Sequence, residues 1–187
     1  MAENADDDLT MWRLYGDDAK GISIEYENPK SLPEDFLFAK VSYAESKEKH
    51  SKLDFIGELV NGKIGNRSFR LKQWGQWQHF FKPFEYAVEH EVRLLFFGNH
   101  FIYENVQEFE KKWIQTEQGI TAPIAVFPCR QAKDKIQFPL KIKGITLGSR
   151  LPDKETNKLL IKVHLEETAI TSGEKVDVHV SKIDNYR

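Results

Sequence analysis

Apolar and polar positions fall into short blocks whose period changes between two and about 3.6, which predicts strands interspersed with helices. Strands are expected at 21–26, 36–43, 91–97, 122–127, 142–147 and 176–181, where β-branched and aromatic residues run between Gly, Pro and Asn breaks. A helix is expected at 46–60, with Leu53, Ile56, Leu59 and Val60 on one face. A second, at 69–81, sets Trp74, Trp77 and Phe81 at i, i+3 and i+7, a spacing that predicts burial of all three rings. A third, at 105–118, turns Val106, Phe109, Trp113 and Ile114 inward and stops at Gly119; a fourth covers 153–166. A short helix through Tyr15 is capped by Asp7 or Asp8 and ended by Gly16. Strands and helices that mix without strict alternation imply an α+β fold: one mixed sheet of about six strands with helices packed on it. The chain has no internal repeat, low-complexity tract or linker, so residues 1–187 read as a single domain.

Charge changes this picture locally rather than globally. Lys and Arg total 27 against 29 Asp and Glu, a net charge of −2 that gives no general attraction to nucleic acid or to acidic membranes. Residues 59–84, however, carry Lys63, Arg67, Arg70, Lys72 and Lys82 with no acid, interleaved with Phe69, Trp74, Trp77, Phe80, Phe81 and Phe84. Such cations neutralise phosphates and such rings stack on bases, so Arg67, Arg70 and Lys72 are the candidates for a nucleic-acid or protein interaction module at 63–82. The opposing consideration is the helical spacing of the rings, which would bury them and leave only a solvated basic face.

No apolar run approaches membrane-spanning length and no secretory leader is evident. The lone Cys129 cannot form an internal disulfide, follows Pro128 and reads as a buried inert thiol; a reducing cytoplasm is the expected location. The six His residues show no ligand spacing, so no metal site is expected.

The candidate chemistry centres on Glu89-His90-Glu91-Val92-Arg93. On a strand, Glu89, Glu91 and Arg93 share one face at steps of roughly 7 Å. Two readings stand. The three side chains form an ion-paired sheet surface, or they form a site for a small anionic ligand, with Arg13 available as a second anion-binding group. Trp12 and Tyr15, at i and i+3, read as core packing or as an aromatic wall over a planar ligand. Ser181 and Arg187 read as the end of a closing strand or as a phosphate contact.

Several of these motifs carry a resemblance. The stretch Asp8-Leu9-Thr10-Met11-Trp12-Arg13-Leu14-Tyr15-Gly16 precedes the Gly21-Ile22-Ser23-Ile24-Glu25-Tyr26 strand, and the Glu-x-Glu-x-Arg run follows Lys82. With Ile145-Thr146-Leu147-Gly148 and the closing Ser181-to-Arg187 segment, this order resembles an uncharacterised bacterial family ending in a similar Ser-x-Ile-x-Tyr-Arg, though one residue longer here. Members of that family carry several dozen residues before the Trp motif, so the resemblance implies a truncated member, with an exposed edge strand that favours self-association. Some relatives are associated with phage defence. The Glu-x-Glu run also resembles that of ADP-ribosyltransferases, which implies NAD as a cofactor or substrate. In that reading Glu91 holds a ribose hydroxyl and stabilises an oxocarbenium-like transition state, Glu89 activates the acceptor, and Tyr15 or Tyr26 stacks on nicotinamide.

Overall fold

A computed structural model describes residues 1, 7–62, 67, 69–97, 109–116, 119, 121–129, 133, 135–168 and 175–183. The fold is α+β, but its strands do not join into one six-stranded sheet. Among the described residues they form a three-stranded sheet and three two-stranded ones. The chain separates into two compact units, one of residues 1–5 and 36–96, the other of residues 6–35 and 97–187. No helix among the described residues is long and apolar enough to cross a membrane.

The larger unit holds the three-stranded sheet, in the order β1 (Ile22–Glu27), β8 (Lys141–Leu147), β9 (Asp177–Val180). β1 runs antiparallel to β8, and β9 runs parallel to it after the crossover helix α4 (Lys154–Thr168). Parallel neighbours need such a crossover. Ile145, Leu147 and Val178 alternate onto the core face, where Leu165 and Val176 bury against them and Ile161 of α4 packs at the margin. Helix α1 (Leu9–Tyr15) is capped by the Asp8 carboxylate, which accepts from Met11 N at 3.0 Å. Trp12 is 3 % exposed, whereas Tyr15 is 67 % exposed, so the expected shared aromatic face is only half used for packing. Gly16 is needed because a Cβ there would overlap the Trp12 ring. The left-handed residues that follow the helix are Asp17, Asp18 and Ala19.

The expected helix at 105–118 is a strand where it is described. β6 (Glu110–Gln115) forms a hairpin with β7 (Thr121–Val126), and residues 105–108 lie outside the described residues. Trp113 and Ile114 are exposed, so the apolar spacing that read as a helix stripe is not a buried face. Pairing with an adjacent strand overrides helical periodicity here, as tertiary context commonly does. Cys129, expected to be buried, is exposed.

The smaller unit is built on β2 (Phe36–Lys40) antiparallel to β5 (Val92–Phe96), and on β3 (Ser42–Tyr43) parallel to β4 (Phe81–Lys82). Phe36, Val41, Phe80 and Val92 are buried. α2 (Ser51–Val60) starts five residues later than expected, because residues 45–49 close a turn and the Glu45 carboxylate accepts from Ser51 N at 2.9 Å. The expected helix at 69–81 shrinks to α3 (Trp74–Trp77) and a 3-10 turn at Gln78–Phe80, and Phe81 enters β4. Gly75 lowers helix propensity within that single turn.

Candidate functional site

The Glu-x-Glu-x-Arg residues do converge, but by a different route from strand alternation. Lys82 leaves β4, Pro83 opens a 3-10 helix at Phe84–Glu89, and His90 adopts a left-handed conformation with φ of 43°. The chain then enters β5. This turn, rather than a continuous strand, sets Glu89 beside Glu91. Glu89 is only 8 % exposed.

Lys82 bridges the two carboxylates, with Nζ 2.6 Å from Glu89 Oε2 and 2.7 Å from Glu91 Oε2. Its ammonium also lies 5.1 Å from the centroid of the Tyr86 ring. Arg93 grips Glu91 with both sides of its fork: Nε donates to Oε1 at 2.6 Å and Nη2 to Oε2 at 3.0 Å. Its Nη1 donates to the His79 carbonyl. Tyr43 completes the network by accepting from Glu91 N at 2.7 Å. Two cations and two carboxylates therefore neutralise one another in a half-buried setting, where such geometry is strong and directional. Lys82, which the resemblance placed before the Glu-x-Glu-x-Arg run, binds both of its carboxylates.

Burial alone would push the Glu91 carboxyl up, but hydrogen bonds and charges from Arg93 and Lys82 override it and hold it at about 2 against an ordinary 4.5. Lys82 is raised by hydrogen bonds to Glu89 and Glu91, and Arg93 by its bond to Glu91. A carboxyl depressed on folding stabilises the fold above its unfolded pKa and loses that contribution as pH falls towards its folded one. Glu91 should therefore supply on the order of 2–3 kcal/mol at neutral pH, lost as pH falls from 4.5 to about 2. Urea unfolding at stepped pH is expected to show this slope in wild type and a shallower one in Glu91→Gln. Equal slopes would refute the assignment.

Other sequence candidates lie elsewhere. Arg13, Tyr15, Tyr26 and Ser181 belong to the larger unit, and Arg187 lies outside the described residues. Tyr26 meets Phe138 edge-on with centroids 5.9 Å apart, and burial raises its hydroxyl pKa. Ser181 is buried and hydrogen-bonds to Asp7, whose carboxylate also accepts from Trp12 Nε1 at 2.9 Å and Lys182 N at 2.7 Å. Asp7 thus links α1 to the residue after β9, a role that its place among N-terminal acids did not signal. Among the described residues no group of three or more His, Cys, Asp or Glu is arranged to hold a metal ion.

Two further features adjoin the network in the same unit. A cleft of about 380 Å³ is lined by Leu53, Phe81, Pro83, Lys47 and Glu85, and Lys82 reaches its wall. His50, also on the cleft, meets the Phe81 ring edge-on at 5.2 Å between centroids. Its Nε2 lies 3.2 Å from the Ser42 carbonyl, and its buried Nδ1 has no partner. A carbonyl only accepts, so Nε2 is the nitrogen that donates to Ser42. The second feature is the basic aromatic segment. Trp74 and Trp77 are 38 % and 43 % exposed, contrary to the burial that helical spacing predicted, and Phe69 and Leu71 are also exposed. Arg67, Arg70 and Lys72 are exposed and make no ion pair among the described residues.

An α+β chain whose half-buried charge network follows a Lys and a Glu-x-Glu-x-Arg run has a counterpart among known families. Residues 11–94, just under half of the chain, match the profile of a family described as a protein of unknown function (DUF2971). The matched stretch contains Trp12, Tyr15, Lys82, Glu89, Glu91 and Arg93 and ends before the C-terminal motifs. Searches of curated proteins and of solved structures return no match.

Proposed function

We propose that this chain binds single-stranded nucleic acid through residues 67–77, with the Lys82–Glu89–Glu91–Arg93 network bracing the strand that follows this segment. The observation that carries the reading is the exposure of the Trp74 and Trp77 rings just after Arg67, Arg70 and Lys72 in the chain, three exposed cations with no ion pair among the described residues. Each indole is backed by a phenylalanine: Trp74 lies 6.1 Å from Phe81 and Trp77 6.2 Å from Phe80, both tilted. Rings held in this way offer a solvent-facing surface to a base without first having to be ordered. Base stacking on aromatic side chains is worth about 1–3 kcal/mol per base and tolerates any sequence. Arg67, Arg70 and Lys72 supply the phosphate contacts, and the absence of Asp and Glu from 59–84 removes competing intrasegment pairs. The charge network, by contrast, already satisfies its own carboxylates, which favours a bracing role for it.

The test is the salt dependence of binding to a labelled single strand of about 12 nucleotides, read by fluorescence anisotropy. Three phosphate contacts on a single strand predict a slope of log K against log salt of about −2. Replacing Arg67, Arg70 and Lys72 together with Ala is expected to weaken binding and flatten that slope. Binding with an unchanged slope in the triple variant would refute the reading.

A further inference from the structure

We infer that the cleft beside Phe81 is a ribonucleotide pocket, so that the strand-binding surface selects RNA over DNA; this rests on the strand-binding reading above. Continuity is the first argument. Trp74, the base platform, contacts Phe81, and Phe81 forms part of the cleft wall. A strand crossing Trp74 therefore has its next nucleotide at the cleft mouth.

The lining supplies the second argument. Leu53, Phe81 and Pro83 form an apolar wall suited to one face of a base, and His50, edge-on to Phe81, holds that ring in place. Lys47 offers a cation for a phosphate, and it makes no ion pair among the described residues. Glu85 offers a carboxylate, which accepts the 2′-O–H of a ribose whose 3′-oxygen is esterified within the strand. Lys82 also borders the cleft, but its ammonium is committed to Glu89 and Glu91. Aromatic wall, cation and carboxylate together match base, phosphate and sugar. A volume of about 380 Å³ lies at the small end of ligand cavities, the size of one nucleotide rather than two. Deoxyribose within a strand presents no hydroxyl to Glu85, and the 2′-hydroxyl is the group by which proteins tell RNA from DNA.

The experiment compares RNA and DNA strands of one sequence by anisotropy, and AMP by thermal shift, on the full chain. Wild type is expected to bind RNA about tenfold tighter than DNA, the weight of a hydrogen bond to a charged acceptor. Glu85→Ala should bring RNA down to the DNA level and leave DNA unchanged, and Lys47→Ala should abolish the AMP shift. Equal binding of RNA and DNA by wild type, untouched by Glu85→Ala, overturns the pocket and leaves the strand surface standing. A shift with AMP but no binding of either strand supports the pocket and overturns the strand surface. No response to AMP or to either strand overturns both.

Discussion

Lys82→Met is expected to lower the melting temperature by about 6–12 °C, the largest loss from any single change in the charge network. The reason is asymmetry. Lys82 Nζ is the cation shared by Glu89 and Glu91, at 2.6 and 2.7 Å. Removing it takes the shared cation away from two neighbouring carboxylates, one of them 8 % exposed, while Arg93 still grips Glu91 and the His79 carbonyl. Breaking one partner out of a buried pair typically costs 3–5 kcal/mol. The side chains here are partly exposed, Lys82 at 22 %, so about 3 kcal/mol is the appropriate magnitude. Each kcal/mol shifts a domain of this size by roughly 2–4 °C. Glu91→Gln should cost less, because Lys82 keeps Glu89. The electrostatic origin has its own signature: protonating Glu91 relieves its repulsion with Glu89, so the gap between Lys82→Met and wild type should narrow as pH falls through the acidic range. A melting temperature at or above wild type, or a gap indifferent to pH, would show that the network does not brace the fold.

The double change Trp74→Ala/Trp77→Ala is expected to weaken single-strand binding at least 30-fold, on the order of 2 kcal/mol or more from two lost stacking platforms. Stability should fall far less than binding, because both rings stand about 40 % exposed and neither is part of the buried core. Far-UV circular dichroism and thermal melting separate the two effects. If affinity falls only in step with unfolding, the rings are structural after all. If affinity is unchanged in a folded variant, the strand does not cross them.

The two regions differ in how much their chemistry could be read before the fold was known. Strand β8 and helix α4 follow directly from local pattern, since Ile145 and Leu147 alternate inward and Ile161 and Leu165 repeat at helical spacing. β6 does not, because what makes Glu110–Gln115 a strand is its partner β7, and a helix-like placement of Phe109, Trp113 and Ile114 carries no sign of that pairing. The charge network was half visible. Glu91, just before β5, and Arg93, two residues on, pair as alternation predicts. Glu89 joins them only through the 3-10 helix and the left-handed His90, and Tyr43 arrives from 48 residues away. Periodicity misjudged Trp74 and Trp77 for a related reason. A helix long enough to bury both would need Phe81, and β3 takes Phe81 into a parallel pair with Ser42.

The most direct measurement of the central claim is indole fluorescence during titration with a single strand of about 12 nucleotides. Trp12, buried, and Trp113, exposed, belong to the larger unit, so Trp74 and Trp77 are the exposed indoles of the binding surface itself. Stacked bases should quench a saturable part of the emission, and Trp74→Ala/Trp77→Ala should lose that part while remaining folded. Emission that is unchanged by the strand, or quenched equally in wild type and the double variant, would contradict the account.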